Sequence, residues 1–252
     1  MNTVQVRNLT FGQGCPKICV PIVARTQQEI LAEASLIKSL PADLVEWRAD
    51  WFEGVLDMEQ VPPVLAGLRE ILGDMPLLFT FRTQKEGGAA AVPDSCYEGL
   101  IRHVVTTGMA DLVDIELFSG RELVSSLISL AHGNDVKVIV SNHDFEKTPS
   151  RQEITARLLE MQALGADLPK IAVMPNSPAD VLTLLSATEE VSGQASQPII
   201  TMSMAGTGLI SRLSGEIFGS ALTFGAAGQA SAPGQIGVVE LKKTLELLHR
   251  SL

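Results

Sequence analysis

Short apolar runs alternate with longer amphipathic segments along the chain. Eight of these runs are rich in Val, Ile, Leu and Phe and are short enough for buried β-strands. They cover residues 17–23, 44–50, 77–82, 112–117, 137–142, 169–174, 198–204 and 221–226. The segments between them place apolar residues three and four positions apart, which predicts helices. One example of this spacing is the series Ile154, Leu158, Leu159, Met161 and Leu164.

The order of these elements predicts an α/β fold, a closed (β/α)8 TIM barrel. Helix starts are marked by Thr26-x-x-Glu29 and Ser150-x-x-Glu153, both of the capping-box type. Eight strand–helix units follow one another, and the last helix covers about residues 238–248. A doubly wound open sheet is the alternative. It prefers about five to seven strands and a Gly-rich turn after an early strand, and no G-x-G-x-x-G occurs there.

The same pattern predicts one domain. We expect residues 1–252 to form a single barrel domain, because no Pro/Gly/Ser-rich linker separates the units. Residues 1–16 precede the first strand. They are expected to form a short β-hairpin that closes the barrel floor.

Composition narrows the classes of function. The chain has 252 residues, 46% of them apolar, and a net charge of −10. This balance argues against disorder and against nucleic-acid binding, and no apolar run is long enough to span a membrane. The N-terminus lacks the pattern of a signal peptide, and three cysteines provide no disulfide framework. We therefore expect a cytoplasmic protein with inert thiols.

Alternation along the strands turns charged side chains toward the barrel axis. In residues 44–50 the apolar odd positions suit the helix layer, so Glu46 and Arg48 point inward. The same rule turns five more charged or titratable side chains inward: Arg82, Asp114, Glu116, His143 and Lys170. Such groups are costly inside a barrel unless they are paired. Seven of them from five strands, mostly near the carboxyl ends, predict an active site at that face.

Lys170 and His143 suggest the chemistry. Lys170 lies in an otherwise apolar strand, where poor solvation is expected to lower its pKa and favour the neutral, nucleophilic amine. A structural ion pair with Asp114 or Glu116 is the alternative. His143, at the end of the adjacent strand, provides a general acid/base near neutral pH. Together they predict imine chemistry on a carbonyl compound.

Two further features concern ligands. Arg212 follows the seventh strand, near the predicted start of a helix, and together with Ser231 and Gln235 it predicts an anion site for a carboxylate or phosphate. Gly228 and Gly234 flank a segment that is able to close as a lid. A divalent metal held by Asp114, Glu116 and His143 is disfavoured by the cations nearby, so we expect no metal.

At these residues the sequence resembles the type I 3-dehydroquinate dehydratase family, over nearly the whole chain. The resemblance is carried by EWR at 46–48, FTFR at 79–82, KEGG at 85–88, DIEL at 114–117, SNHDF at 141–145, PKIAVMP at 169–175, SR at 211–212 and SAPGQ at 231–235. It implies a lyase of the shikimate pathway that eliminates water in a syn sense from 3-dehydroquinate, giving 3-dehydroshikimate. No metal or organic cofactor is implied. The only partners implied are the small-molecule substrate and a second copy of the chain, with no nucleic acid and no membrane.

The resemblance also implies roles for single residues. Lys170 would form the imine with the C3 ketone, and His143 would move protons at C2 and at the C1 hydroxyl. Glu86 would orient that imidazole. Arg212 would pair with the substrate carboxylate, assisted by Ser231 and Gln235. The ring hydroxyls and the polar pocket would be held by three of the other inward side chains, Glu46, Arg48 and Arg82.

Two departures and two alternatives accompany this reading. Pro21 stands where some relatives carry serine, and the Ala-rich stretch 89–93 matches no motif. A class I aldolase shares the barrel and the lysine, but it usually cleaves a carbon–carbon bond, often on a phosphorylated substrate. A non-catalytic barrel that binds an anionic metabolite is the other alternative, and it would tolerate Lys170→Arg.

Overall fold

Parallel strands form the centre of the molecule. The structure is a computed structural model that describes residues 3–228 and 232–252. Its strands are β1 (Val4–Val6), β2 (Leu9–Phe11), β3 (Lys17–Ile22), β4 (Leu44–Arg48), β5 (Leu77–Thr80), β6 (Leu112–Glu116), β7 (Lys137–Asp144), β8 (Leu168–Val173), β9 (Ile200–Ser203), β10 (Leu222–Ala226) and β11 (Ile236–Gly237). Strands β3 to β10 correspond to the eight predicted strands, with small shifts at their ends.

The parallel sheet closes into a ring. Each strand from β3 to β8 pairs with the next one in the chain, and β10 pairs with β3. Ile199 and Ser220 form a parallel bridge just before β9 and β10, and the Ala221 N–H donates to the Ile199 carbonyl at 2.8 Å. The predicted (β/α)8 barrel is thereby confirmed. The open doubly wound sheet is wrong, because the two edges of this sheet meet.

Helices surround the ring and follow the strands. They are α1 (Gln27–Lys38), α2 (Val61–Leu72), α3 (Asp94–Thr107), α4 (Arg121–Gly133), α5 (Arg151–Leu164), α6 (Pro178–Gln194), α7 (Leu209–Leu213), α8 (Gly215–Phe218) and α9 (Val238–His249). The capping box of Thr26 and Glu29 forms as predicted. At Ser150 only half of it forms, because the Glu153 carboxylate pairs with Arg157. Within the described residues, no helix combines the length and apolar character that crossing a membrane requires.

Two apolar layers confirm the predicted alternation. Val45, Trp47 and Phe79 face outward and pack with the helices in the larger cluster. Leu44 and Leu78 face inward at the bottom of the barrel. There they meet the residues of the N-terminal hairpin, in which β1 and β2 pair antiparallel and contribute Val4, Val6 and Phe11. The hairpin thus closes the barrel floor, and the polar inward positions lie above this plug.

The carboxyl ends of three strands turn into short 3₁₀ segments, Ala49–Trp51, Gln84–Glu86 and Leu117–Ser119. The predicted strands 44–50, 77–82 and 112–117 therefore extend too far. After β5, the physical reason is that carboxylates accept the backbone N–H groups in place of a neighbouring strand. The Arg82 N–H donates to Asp50 at 3.3 Å, and the Thr83 N–H donates to Glu116 at 2.8 Å. The first two of these segments place Asp50 and Glu86 at the rim of the barrel.

Candidate active site

A pocket of about 490 Å³ opens at the carboxyl ends of the strands. This is the face on which enzymes of this fold carry their active sites. The pocket is lined by residues from five barrel strands and from the loops that follow barrel strands: Glu46, Arg48, Arg82, Glu86, Gly87, His143, Phe145, Lys170, Ala172, Met202, Met204, Arg212, Phe224, Ala232 and Gln235. The structure thus brings eight of the nine predicted site residues together. The ninth, Ser231, lies outside the described residues.

Lys170 lies on β8 with its side chain inside the barrel and only 4% exposed. Its Nζ is 3.3 Å from Asp114 Oδ2 and 4.8 Å from the centre of the Phe224 ring. The ion pair with Asp114, one of the alternatives from the sequence, is therefore formed. Glu116 instead pairs with Arg82 at 3.0 Å. The amine consequently has one carboxylate and one aromatic face beside it, and it borders the open pocket.

His143 and Glu86 form a hydrogen-bonded pair at the pocket wall. His143 Nδ1 lies 2.9 Å from Glu86 Oε2, and the His143 backbone N–H donates to the same oxygen at 3.0 Å. The Asn142 amide donates to Glu86 Oε1 at 3.2 Å. Phe145 stacks on the imidazole with ring centres 6.4 Å apart and packs against Gly87, where a Cβ atom would lie 2.3 Å from its ring. The imidazole is therefore held from two sides.

The pKa shifts of His143 and Glu86 determine which atoms of this pair carry protons. Burial lowers the pKa of His143 well below its usual value, and three nearby cations act in the same direction: Arg82, Lys170 and Arg48. Burial also raises the pKa of Glu86 to about 7, although Arg82 counteracts it. A carboxylate acceptor places the proton of a neutral imidazole on Nδ1. At pH values above 7, Nε2 is therefore an unprotonated base.

Arg82 joins the acidic residues on the pocket floor. Its guanidinium donates to Asp114 at 2.7 Å and to Glu116 and Ser141 at 3.0 Å each, and it lies 3.5 Å from Glu86. Burial alone would lower the pKa of Arg82, but these carboxylates outweigh it and raise the pKa. The same contacts keep Asp114 ionised: burial would raise its pKa, but its cationic partners hold the pKa below the usual value. Buried charges here are thus mutually neutralised.

Glu46 and Arg48 lie on β4 beside this network. Thr80 donates to Glu46 at 2.8 Å, and Arg48 forms two parallel hydrogen bonds with Asp50, both of 2.8 Å. Asp50 also accepts the N–H of Ala89 at 3.0 Å. The sequence offered no role for the Ala-rich stretch. The structure shows that its first residue, Ala89, hydrogen-bonds to Asp50 and so holds the turn that carries Glu86 against the end of β4.

Arg212 is a buried cation at the pocket, and burial lowers its pKa. It is 2% exposed, and its guanidinium contacts the Pro233 carbonyl at 3.1 Å and the Met202 sulfur at 3.7 Å. Its Nε is buried with no hydrogen-bond partner among the described residues. Burial lowers the pKa of Arg212 to about 10. An anion in the pocket would supply the missing charge partner.

The helix that carries Arg212 is short. Arg212 lies near its start as the sequence predicted, as the fourth residue of α7, but α7 has only five residues. A break at Ser214 separates α7 from α8, so the two short helices do not form one long one. An anion at Arg212 would therefore contact the guanidinium itself and not a helix dipole.

One group of three metal-ligand side chains is found within the described part of the chain, and it lies away from the pocket. Within the described part of the chain, the donor atoms of Cys15, Glu216 and His249 lie within 4.8 Å of one another. These residues lie at the amino ends of the strands, opposite the pocket. Burial and the Glu216 carboxylate raise the pKa of the Cys15 thiol, which disfavours the thiolate that a metal needs. The divalent site considered for Asp114, Glu116 and His143 is occupied by ion pairs with Arg82 and Lys170 and by Glu86.

Sequence reasoning missed several residues of the pocket. Phe224, Met202 and Ala172 form its apolar wall, and strand alternation within β10, β9 and β8 would have placed them inward. Arg157 was also missed. It lies on α5 and reaches Asn142 from the helix layer, a contact that no spacing within one element indicates.

Fold and site together define a barrel enzyme whose pocket combines a buried lysine, a histidine–carboxylate pair and an arginine without a carboxylate partner among the described residues. A family model described as type I 3-dehydroquinase matches residues 18–251. The chain belongs to this family, whose members act in the shikimate pathway.

Individual relatives agree over the full length. A 3-dehydroquinate dehydratase of Listeria monocytogenes serotype 4a is 58% identical over 99% of both chains. The crystal structure of type I 3-dehydroquinate dehydratase from Clostridium difficile, with covalently modified comenic acid, is 53% identical, has a TM-score of 0.97, and covers 100% of this chain and 99% of its own. The enzyme structure from Enterococcus faecalis is 48% identical with a TM-score of 0.92, covering 97% and 98%.

Proposed function

We propose that this chain dehydrates 3-dehydroquinate to 3-dehydroshikimate through an imine on Lys170. The observation that carries the proposal is the buried amine bordering the same pocket as the His143–Glu86 pair and Arg212. A lysine that attacks a ketone needs a confined site and a proton carrier nearby. Membership of the family removes the aldolase and the non-catalytic barrel as alternatives.

The first stage is imine formation. Lys170, paired with Asp114 as the ammonium, passes one proton to His143, and the free amine adds to the C3 carbonyl carbon. The imidazolium returns that proton to the carbinolamine hydroxyl, which leaves as water and gives a cationic iminium. Asp114, 3.3 Å from Nζ in the free protein, lies where it stabilises that positive charge. The iminium withdraws electrons from the adjacent C2–H bond and so makes this proton acidic.

The second stage is elimination. The unprotonated Nε2 of His143 removes a proton from C2, and the electron pair forms an enamine with C3. The enamine then expels the C1 hydroxyl, which takes the proton back from the imidazolium and leaves as water, so that the C1–C2 double bond forms. One base serves both transfers when C2–H and C1–OH face the same side, which makes the elimination syn. Water finally hydrolyses the product imine and frees Lys170.

The remaining residues position the substrate. We place its carboxylate against Arg212, which has no carboxylate partner among the described residues, with Gln235 alongside in the pocket lining. Ser231 is assigned to the same end from the sequence alone. The ring hydroxyls fall to Glu46, Arg48 and Arg82, whose fixed hydrogen-bond partners hold them still at the pocket wall.

Replacing Arg212 by alanine is expected to weaken substrate binding most. The substrate carboxylate loses a charge-assisted contact of about 1.5–3 kcal/mol, which corresponds to a roughly 10- to 150-fold increase in KM. Steady-state kinetics measure this, with Arg121→Ala as the control, because Arg121 is an exposed arginine that pairs with Glu160. An unchanged KM in Arg212→Ala would show that the carboxylate binds elsewhere.

The assembly and setting are part of the proposal. We propose a homodimer of single-domain subunits that works in the cytoplasm without metal or cofactor. Family resemblance supports the dimer, and the pocket supports the absence of a cofactor because its own side chains supply each proton transfer. Light scattering at several concentrations measures the oligomeric state, and a mass of one subunit throughout would contradict the dimer.

Borohydride trapping tests the chemistry. The protein is incubated with 3-dehydroquinate, reduced with sodium borohydride and digested for peptide mapping by mass spectrometry. We expect one secondary amine on Lys170, because borohydride reduces an iminium but leaves an ordinary lysine unchanged. Lys85→Ala, which removes an exposed lysine near the pocket rim, should label as the native chain does. No adduct, or an adduct on another lysine, would overturn the proposal.

A further inference from the structure

Arg157 on α5 contacts the active-site network from outside the substrate pocket. Its Nη1 donates to Asn142 Oδ1 at 2.7 Å, and its Nη2 pairs with Glu153 one turn earlier. Its guanidinium carbon lies 5.3 Å from the centre of the Phe118 ring. The side chain is 17% exposed, so three contacts fix it in a largely buried position.

This contact determines which way the Asn142 amide faces. Arginine has only donors, so the atom of Asn142 that meets it must be the oxygen. The amide nitrogen is thereby directed to the other side, where it donates to Glu86 Oε1 at 3.2 Å. Asn142 is 3% exposed, so water does not compete for either end of the amide.

We propose that Arg157 is a positioning residue that acts through Asn142 to hold Glu86 as the acceptor of His143. The chain of contacts runs from Arg157 to Asn142 to Glu86 and ends at His143 Nδ1, 2.9 Å from the carboxylate. Arg157 faces a second pocket, of about 710 Å³, which shares Glu86 and His143 with the first. The inference rests on the proposed function, because it assigns His143 the role of base.

Loss of Arg157 frees the amide to rotate. The Asn142 oxygen can then face Glu86, and an oxygen facing a carboxyl favours the protonated form. The other ionisable groups around Glu86 are unchanged by the substitution. They are Arg82 after β5, Asp114 and Glu116 on β6, His143 itself, and the groups lining the second pocket, Lys85, Asp94, Tyr97 and Asp144.

The test is the pH profile of kcat/KM. The active form has Glu86 ionised and His143 neutral, so kcat/KM rises with pH through the apparent pKa of the pair. Arg157→Met keeps the length of the side chain but removes the donor, and we expect the acid limb to move about one unit to higher pH. At pH values below the acid limbs of both proteins, kcat/KM of Arg157→Met is then roughly tenfold lower than that of the native chain. The difference disappears at high pH. Arg157→Lys restores a donor, and its acid limb should lie close to that of the native chain.

The chain offers matched controls. Arg102 on α3 pairs with the glutamate one turn earlier, Glu98, at 2.8 Å, but bonds Ser126 instead of an active-site residue. Arg102→Met therefore copies the loss of a helix ion pair and should leave the limb in place. Glu153→Gln removes the ion pair of Arg157 while leaving its bond to Asn142, and should do the same. In Asn142→Ala, adding Arg157→Met should move the limb no further.

Two results would overturn the proposal. An acid limb that stays in place in Arg157→Met, whatever happens to kcat, assigns Arg157 a structural role. A shift of equal size in Arg102→Met shows that any lost ion pair on the surface produces it. Neither result touches the imine chemistry, which fails separately if borohydride leaves Lys170 unlabelled in the native chain.

Discussion

Lys170→Ala is expected to reduce kcat/KM by at least roughly 10⁴-fold, to the limit of detection. Without the amine no iminium forms, and His143 must take a proton from beside an unactivated ketone. Borohydride should then leave no adduct on the chain. Turnover is measured from the absorbance of 3-dehydroshikimate over time, and the adduct is measured by intact-protein mass spectrometry on the same samples.

The fold should survive this substitution. Asp114 loses its contact with Lys170 but keeps Arg82 at 2.7 Å and Ser141 at 2.6 Å, so its charge stays compensated. Lys170→Met fills the apolar space beside Phe224 and serves as the second inactive variant. Native-like circular dichroism and thermal melting in either variant separate lost chemistry from lost structure. Measurable turnover in a folded Lys170→Met protein would contradict the imine mechanism.

The sequence predicted the barrel and its inward charges because strand geometry is local. Side chains alternate with period two, so the apolar positions of Val45 and Trp47 were enough to turn Glu46 and Arg48 toward the axis. Closure followed from counting units, since eight βα repeats leave no free edge. Such inferences need no knowledge of which residues touch across the molecule.

The strand ends could not be predicted in the same way. Strand β4 stops at Arg48 because Asp50 turns back to accept from Arg48 and from the backbone of Arg82 and Ala89. These partners come from separate parts of the chain. The end of a strand is thus decided by contacts that form only once the barrel is closed.

The positioning of Glu86 shows the same limit inside the active site. Alternation along β7 turns Ser141 and His143 inward, and it turns Asn142 outward with Val140, into the helix layer. A search for inward polar residues therefore passes over Asn142. Its importance depends on Arg157 reaching it from α5, a contact made by tertiary packing alone.

His143→Ala is expected to lower kcat by about 10²- to 10⁴-fold and to let a covalent adduct accumulate without borohydride. The Lys170 amine and its Asp114 partner remain, so the imine still forms, more slowly than in the native chain. Its C2 proton then has no base, and hydrolysis lacks the imidazole as well. Intact-protein mass spectrometry at increasing times should show the unreduced adduct growing on Lys170 as turnover stays low.

The control for this experiment is His132→Ala. His132 pairs with Asp167 on the surface, with its side chain 40% exposed, so the variant loses a histidine–carboxylate pair away from the pocket. It should turn over normally and accumulate no adduct. A contrary result is an inactive His143→Ala protein that forms no adduct with the substrate, although its Lys170 can still be labelled by a simple ketone and borohydride. In that case His143 would be needed to form the imine rather than to break the C2–H bond. Accumulation of the adduct shows that turnover in His143→Ala stops after the imine has formed. The step that is lost is then the proton transfer from C2, for which the hydrogen bond between Glu86 and His143 Nδ1 keeps Nε2 unprotonated.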